Sequence, residues 1–305
     1  MIKRILALVV AVAMVGGAFA YRSSRDGGDA GGGGDSTDEV AGGIYCAAEL
    51  GPVCDAIPGA KVQATTETFE RLVTARSAAD AGVRVWVTAG PWADIVDEAR
   101  TGRPQLFSKS RPLASTPLVS VLRKGTLPSG CGATASWKCL GDLAQEASAG
   151  LGGDPPTDVG HLFIRAAALG GFLDKTNYAI NDLDESSAAE SWILNVDSSL
   201  DRGKSFQAGS LSDYLATRGV GARVFFTTEV AVKAVGPLPD FDVFTPTPAA
   251  IIGAFVAVAD GGRADVDEDR IREALTKAGW KAAAPPAEDG LPSPGVLVAL
   301  RGRLG

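Results

Sequence analysis

Residues 151–173 read LGGDPPTDVGHLFIRAAALGGFL, a Gly/Pro-rich turn that runs straight into a helical pattern. Leu162, Ala166 and Leu169 recur at helical spacing, and Asp158 stands where an N-cap carboxylate accepts the first free N–H groups. A loop delivered onto a helix N-terminus leaves backbone donors facing any cleft ahead of it, which suits an anionic or polar ligand. An ordinary connection with a good cap has the same pattern. The order of elements on either side separates the two.

Upstream, strand and helix patterns alternate from Gly43 onward. Gly43-Ile44-Tyr45 reads as a short strand and Val53–Ile57 as the start of a helix. Lys61–Ala64 is a second strand, followed by a helix over Glu67–Ala78. Val83–Val87 alternates cleanly, and Pro91 occupies the first turn of a helix over Trp92–Arg100. Three such units in succession predict a parallel sheet with helices over its faces. Ligands in such sheets gather at the carboxyl ends of the strands. Those ends are Ala47-Ala48-Glu49, Thr65-Thr66-Glu67 and Thr88-Ala89-Gly90.

Further along, Leu118–Arg123 and Arg223–Thr227 read as strands, and Val243–Thr245 with Ile251–Val258 as more sheet. Short helices fit Leu140–Gln145, Ala188–Asn195 and Leu211–Thr217. Asp267–Ala278 is amphipathic, with Gly279 as its stop. A Pro/Ala/Gly linker over 282–295 precedes a short apolar segment, Val296–Leu300. No internal repeat is present.

Composition narrows the function classes. The chain is 46% hydrophobic and 21% charged, with 38 glycines, which describes a globular protein. His161 is the only histidine, so a multi-histidine metal site is excluded and a Ser-His-Asp triad has one candidate base. The Gly-x-Ser-x-Gly elbow is missing, and His161 falls in the first turn of an amphipathic pattern, so no enzyme activity, metal or cofactor is expected. The net charge is −7, or −9 without residues 1–20, which disfavours nucleic acid as a partner.

Lys3 and Arg4 precede an apolar run to Tyr21 that contains Ala18-Phe19-Ala20. Residues 1–21 fit a cleaved signal peptide or a short membrane anchor. Residues 22–43, rich in Gly and Asp, read as a flexible linker, and a tether directly behind a hydrophobic segment favours the anchor. Either way the folded part is extracytoplasmic. The cysteines agree: Cys46/Cys54 and Cys131/Cys139 each have seven residues between them. Local pairing closes two short Gly-containing loops in an oxidising compartment. A continuous helix would hold such cysteines about 12 Å apart, too far for a disulfide, but Gly51-Pro52 should break the first one. Zinc is the alternative, yet the Cys-x2-Cys spacing is absent.

Taken in order, IYCAAEL, VRVWVTAGPW, LVSVLRKG, WKCLGDLA and DPPTDVGH resemble a type II extracellular solute-binding protein, nearest to the molybdate- and oxyanion-binding branch. The resemblance covers roughly 43–280. It implies an α/β, two-lobed periplasmic-binding-protein-like fold with hinge-connected lobes: 44–118 plus 240–305 as lobe one and 119–239 as lobe two. It also implies capture of a small polar solute between the lobes, for transport or sensing, with a membrane transporter or other envelope protein as partner. The alternative is a membrane-tethered envelope interaction module that keeps the fold without small-molecule transport. The expected ligand-binding residues are Ala48, Glu49, Thr66, Glu67, Thr88, Thr157 and Asp158. Oxyanion binders carry a hydroxyl where this chain has Glu49. With Glu67 and Asp158 also facing the cleft, a dianion would meet repulsion, so a cationic, zwitterionic or neutral polar ligand is expected.

Overall fold

The computed structural model describes residues 43–132, 135–145, 150–153, 158–205, 210–261, 266–283, 285 and 291–304. The expected signal or anchor at 1–21 and the linker over 22–42 lie outside them. Among the described residues no helix is long and apolar enough to cross a membrane.

In chain order the strands are β1 (Gly43–Ala47), β2 (Lys61–Gln63), β3 (Val83–Ala89), β4 (Phe107–Arg123), β5 (Gly150–Gly153), β6 (Ala222–Thr228), β7 (Phe241–Phe244) and β8 (Ile251–Ala259). The helices are α1 (Thr65–Thr74), α2 (Trp92–Ala99), α3 (Trp137–Asp142), α4 (Asp158–Leu173), α5 (Ile180–Asp184), α6 (Ser187–Ser205), α7 (Leu211–Ala216), α8 (Glu229–Val235), α9 (Glu268–Lys277) and α10 (Pro294–Leu304). A 3-10 helix over Ala48–Ala56 follows β1.

The first half of the sheet runs β2-β1-β3-β8-β4, and the expected parallel order holds for β1, β2 and β3. Trp86 of β3 enters one core cluster while Val85 and Val87 enter another, as period-two alternation requires. β8 runs antiparallel to both β3 and β4, so the whole sheet is mixed and not purely parallel. In the second half β5 and β6 are parallel, and β6 pairs antiparallel with β4.

β4 belongs to both halves. Its stretch from Phe107 to Pro117 pairs with β8, and Leu118–Leu122 pairs with β6 on one side. β7 covers the other side of Ser120–Arg123. The chain returns through Ala250, whose carbonyl accepts from Leu118 N at 2.8 Å. Two crossing segments therefore join the halves.

Several elements differ from the sequence expectation. β4 starts at Phe107 instead of Leu118: Pro112 and Pro117 read as breaks, but Pro112 lies beside a register shift and Pro117 ends the β8 pairing. Gly150–Gly153 is a buried strand, not a turn. A Cβ on Gly153 would stand 2.8 Å from Ile164 Cδ1, so only glycine lets α4 pack this close. α8 was not expected at all. Val296–Leu300 belongs to an 11-residue helix, α10. Arg301 of α10 pairs with Glu70 on α1 and Arg303 with Asp184 on α5, so this helix touches both halves.

Both expected disulfides are present, with Cα–Cα distances of 5.6 Å for Cys46–Cys54 and 5.5 Å for Cys131–Cys139. The helix objection is met at Gly51, whose φ of 53° breaks the run and brings Cys54 back over Cys46. The double variant Cys46→Ser/Cys54→Ser should lose about 2–3 kcal/mol of stability on the chain-entropy account of so short a loop. Urea denaturation without reductant measures this; an unchanged midpoint would show that the loop is held by its packing alone.

Candidate ligand-binding cleft

A cavity of about 590 Å³ opens where the two halves meet. It lies at the carboxyl ends of β1, β3 and β6, the position that sheets of this kind reserve for ligands. From the first half come Glu49–Pro52 of the 3-10 helix, Ala89 of β3 and Lys277–Trp280 at the end of α9. Leu118 and Ile252 come from the crossing strands. From the second half come Phe163 of α4, Thr227 and Thr228 of β6, and the α8 face carrying Val230, Ala231, Lys233 and Ala234.

Local sequence explains each wall. Thr228 caps α8 by accepting from Ala231 N, while Thr116 Oγ1 accepts from Val230 N at 3.4 Å. Gly279, at φ 98°, ends α9, and Trp280 N donates back to Leu275 O at 3.0 Å. Lys281 and Ser115 then exchange backbone hydrogen bonds, which hang the Trp280 wall on β4. Phe163 packs across the junction of the halves. Its ring stands 5.9 Å from Trp92 in an edge contact and lies where a Cβ on Gly90 would be, 2.3 Å from that position.

Of the expected ligand-binding residues, Glu49 lines the cavity. Its carboxylate is already engaged, however: it accepts from Thr65 N at 3.2 Å and from Thr65 Oγ1 at 2.9 Å. Glu49 thus caps α1 and takes the place an anion would occupy at that helix N-terminus. Ala48 is exposed just before it, and Thr66 and Glu67 sit on α1 away from the cavity wall. Thr88 is fully buried behind Ala89, with a hydroxyl that has no hydrogen-bond partner. Thr157 and the side chain of Asp158 lie outside the described residues, and α4 begins at Asp158 itself. The acids therefore do not set the sign of the described walls. Lys233 and Lys277 face the cavity against the single carboxylate of Glu49.

Sequence reading missed these lysines, together with Phe163, Thr227 and Trp280. The signal that points to Trp280 and Lys277 is the Gly279 stop; α8 carries no comparable mark. His161 is buried on α4 and off the cavity wall, so it reaches no substrate there. Tyr178 and Tyr214 donate to the carbonyls of Ala166 and Val121, and burial pushes both phenols up, away from tyrosinate chemistry. Among the described residues no group of three or more His, Cys, Asp or Glu is placed to hold a metal ion.

The same arrangement of two half-sheets around a cleft occurs in solved structures. Iron-bound HitA from Pseudomonas aeruginosa superposes with a TM-score of 0.51 at 12% identity, over 86% of this chain and 98% of that one. Apo FutA2 from Synechocystis PCC6803 gives 0.52 at 9% identity, over 87% and 99%. A Bordetella parapertussis protein assigned as an extracellular solute-binding protein gives 0.51 at 10% identity, over 87% and 96%. This chain has the type II periplasmic-binding-protein fold. No family model matches it, and no curated protein matches it in sequence. The likeness extends over nearly the full length of each of these three neighbours.

Two substitutions test the geometry. Glu49→Ala should cost about 1 kcal/mol by stripping the α1 cap, and Glu49→Gln, which keeps an acceptor oxygen, should lose less. Gly90→Ala should cost about 1–3 kcal/mol, because the methyl must displace the Phe163 ring at a positive-φ position. Chemical denaturation reads both; a neutral Gly90→Ala would mean that Phe163 does not seat on this backbone.

Proposed function

We propose that this protein is an extracytoplasmic solute-binding protein that captures a small ligand between its two lobes, for a membrane transporter or for sensing. The observation that carries this reading is the cavity itself. It takes walls from both halves, lies at the strand carboxyl ends, and at about 590 Å³ falls within the range of small-molecule sites. In this reading residues 44–118 and the chain from β8 onward form lobe one, and lobe two begins at 119. Pairing of β7 with Ser120–Arg123 favours a boundary after Phe244 over one at 240. Residues 1–21 export or anchor the chain and 22–43 tether it. The disulfides, which need an oxidising compartment, support that location.

Within the solute-binding class, the oxyanion branch fits less well than a general organic solute. A dianion at the end of β1 would have to displace the Glu49 carboxylate from Thr65 N. A hard cation would find one carboxylate and neither tyrosine nor histidine on the described wall.

Native mass spectrometry of the full chain purified from its own host should show a bound small molecule. Ala234→Trp, an exposed substitution on the α8 wall, should abolish it while the melting temperature of the unliganded protein stays within experimental scatter. In the wild type, ligand at about a hundredfold above Kd should add about 2.7 kcal/mol of stability. A wild type that carries no small molecule from any source, and instead retains an envelope protein, would replace this reading with the interaction module.

A further inference from the structure

Resting on the capture reading, we propose that the ligand is an amphipathic organic anion: a single carboxylate on an aliphatic or aromatic body. Three features of the cleft converge on this class.

The first is the apolar floor. Leu50, Leu118, Phe163, Ile252 and Trp280 line the cavity with few polar atoms between them. Each is under 9% exposed, so together they form a surface that a hydrocarbon body covers and that a strongly hydrated solute leaves idle. The second is the charge at the mouth. Lys233 lies along Gly279, its Cδ 3.8 Å from where a Cβ there would stand, so the α8 lysine reaches the end of α9 where Lys277 sits. Glu229 already serves Lys233 at 3.2 Å and Lys281 at 3.5 Å. Lys277 makes no ion pair among the described residues, and the acid of the facing wall, Glu49, is spent on Thr65. Among the described residues, two ammonium groups thus share the Glu229 carboxylate at this seam and Lys277 adds a third, so the local surplus is positive. The third is Thr227. It forms part of the cavity wall at 1% exposure, and its hydroxyl has no hydrogen-bond partner. Buried hydroxyls rarely stay unpaired, and a ligand head group seated against the β6 end supplies the missing partner after a small side-chain rotation.

Polarity is therefore graded across the cleft, apolar against the crossing strands and cationic at the α8–α9 seam. A cation meets the surplus lysines, and a small inorganic anion has no use for the floor. A carboxylate with an apolar body satisfies both ends at once.

The test uses a matched set of probes on the full-length protein: octanoate, octan-1-ol, octylammonium and acetate, by isothermal titration calorimetry at low salt. Octanoate should bind most tightly, with octylammonium and acetate each at least about tenfold weaker. Lys277→Gln should weaken octanoate about threefold, and Lys233→Gln/Lys277→Gln about tenfold, with octan-1-ol unaffected, as expected for exposed charges near the ligand. Both lysines are exposed, so the variants should keep the wild-type melting temperature. Octan-1-ol or octylammonium matching octanoate would overturn the anionic head, and acetate matching it would overturn the apolar body. If no probe binds while a polar or cationic molecule copurifies in the cleft, the ligand class falls and the capture reading stands. If no probe binds and nothing copurifies, both fall.

Discussion

Residues 115–118 of β4 are the point on which this molecule hangs. A single strand serves two half-sheets, and it changes partner at Pro117, a residue with no N–H to give either ladder. On one side of the switch Ser115 holds Lys281 through two backbone hydrogen bonds, which positions Trp280. Thr116 takes the N–H of Val230 and positions the start of α8. Leu118 binds Ala250 and is itself part of the cavity floor. Three walls from three distant parts of the sequence are therefore fastened to four consecutive residues. A displacement of this strand moves those three walls together, which is why a cleft built here is a property of the fold and not of one loop.

Glycine governs how closely several packed elements approach, within the second half and between the halves. At Gly90 the Phe163 ring lies against bare backbone, and at Gly153 the first turns of α4 do the same with Ile164 and His161. At Gly141 the indole of Trp192 occupies the space of a missing Cβ, while its Nε1 donates to Asp142 at 2.7 Å. One core cluster holds residues of both halves, Trp92 and Trp137 among them, and Trp92 meets Phe163 across the junction. The α10 helix adds Arg301 to Glu70 and Arg303 to Asp184, exposed pairs whose worth is about 0–1 kcal/mol each. The lobes are held together in this state by packing, with charge as a minor contribution.

Much of the architecture was legible because the chain obeys simple periodicities. Val83–Val87 alternates and forms β3; the spacing of Leu162, Ala166 and Leu169 gives α4; the seven-residue cysteine gaps close as two local disulfides. What was illegible broke a local rule for a tertiary reason. Proline in β4 reads as a break, yet Pro117 sits where a ladder bond is dispensable. Gly150–Gly153 reads as a turn, yet Leu151 N finds Ser199 Oγ at 3.1 Å and α4 needs the bare backbone. The site was half legible. The cavity takes wall residues from the strand ends after β1 and β3, but nothing in the local sequence says that Glu49 turns toward Thr65, sixteen residues on.

That one carboxylate changes the electrostatics of the described wall. Read as a sequence, an acid at the end of the first strand, followed by others at the second strand and the cap loop, describes an anionic pocket. In the folded chain Glu49 meets the free N–H groups of α1, where a negative charge is stabilised both by hydrogen bonds and by the helix dipole. The carboxylate oxygens are thereby held on Thr65 and less free to meet a ligand, while Glu67 points along an exposed helix face. The lysines that remain come from α8 and from the last turn of α9, where cations also complement helix carbonyl ends. The sign of a cleft is thus decided by which charged groups the backbone itself consumes. Here the backbone takes the acid and leaves two lysines on the wall.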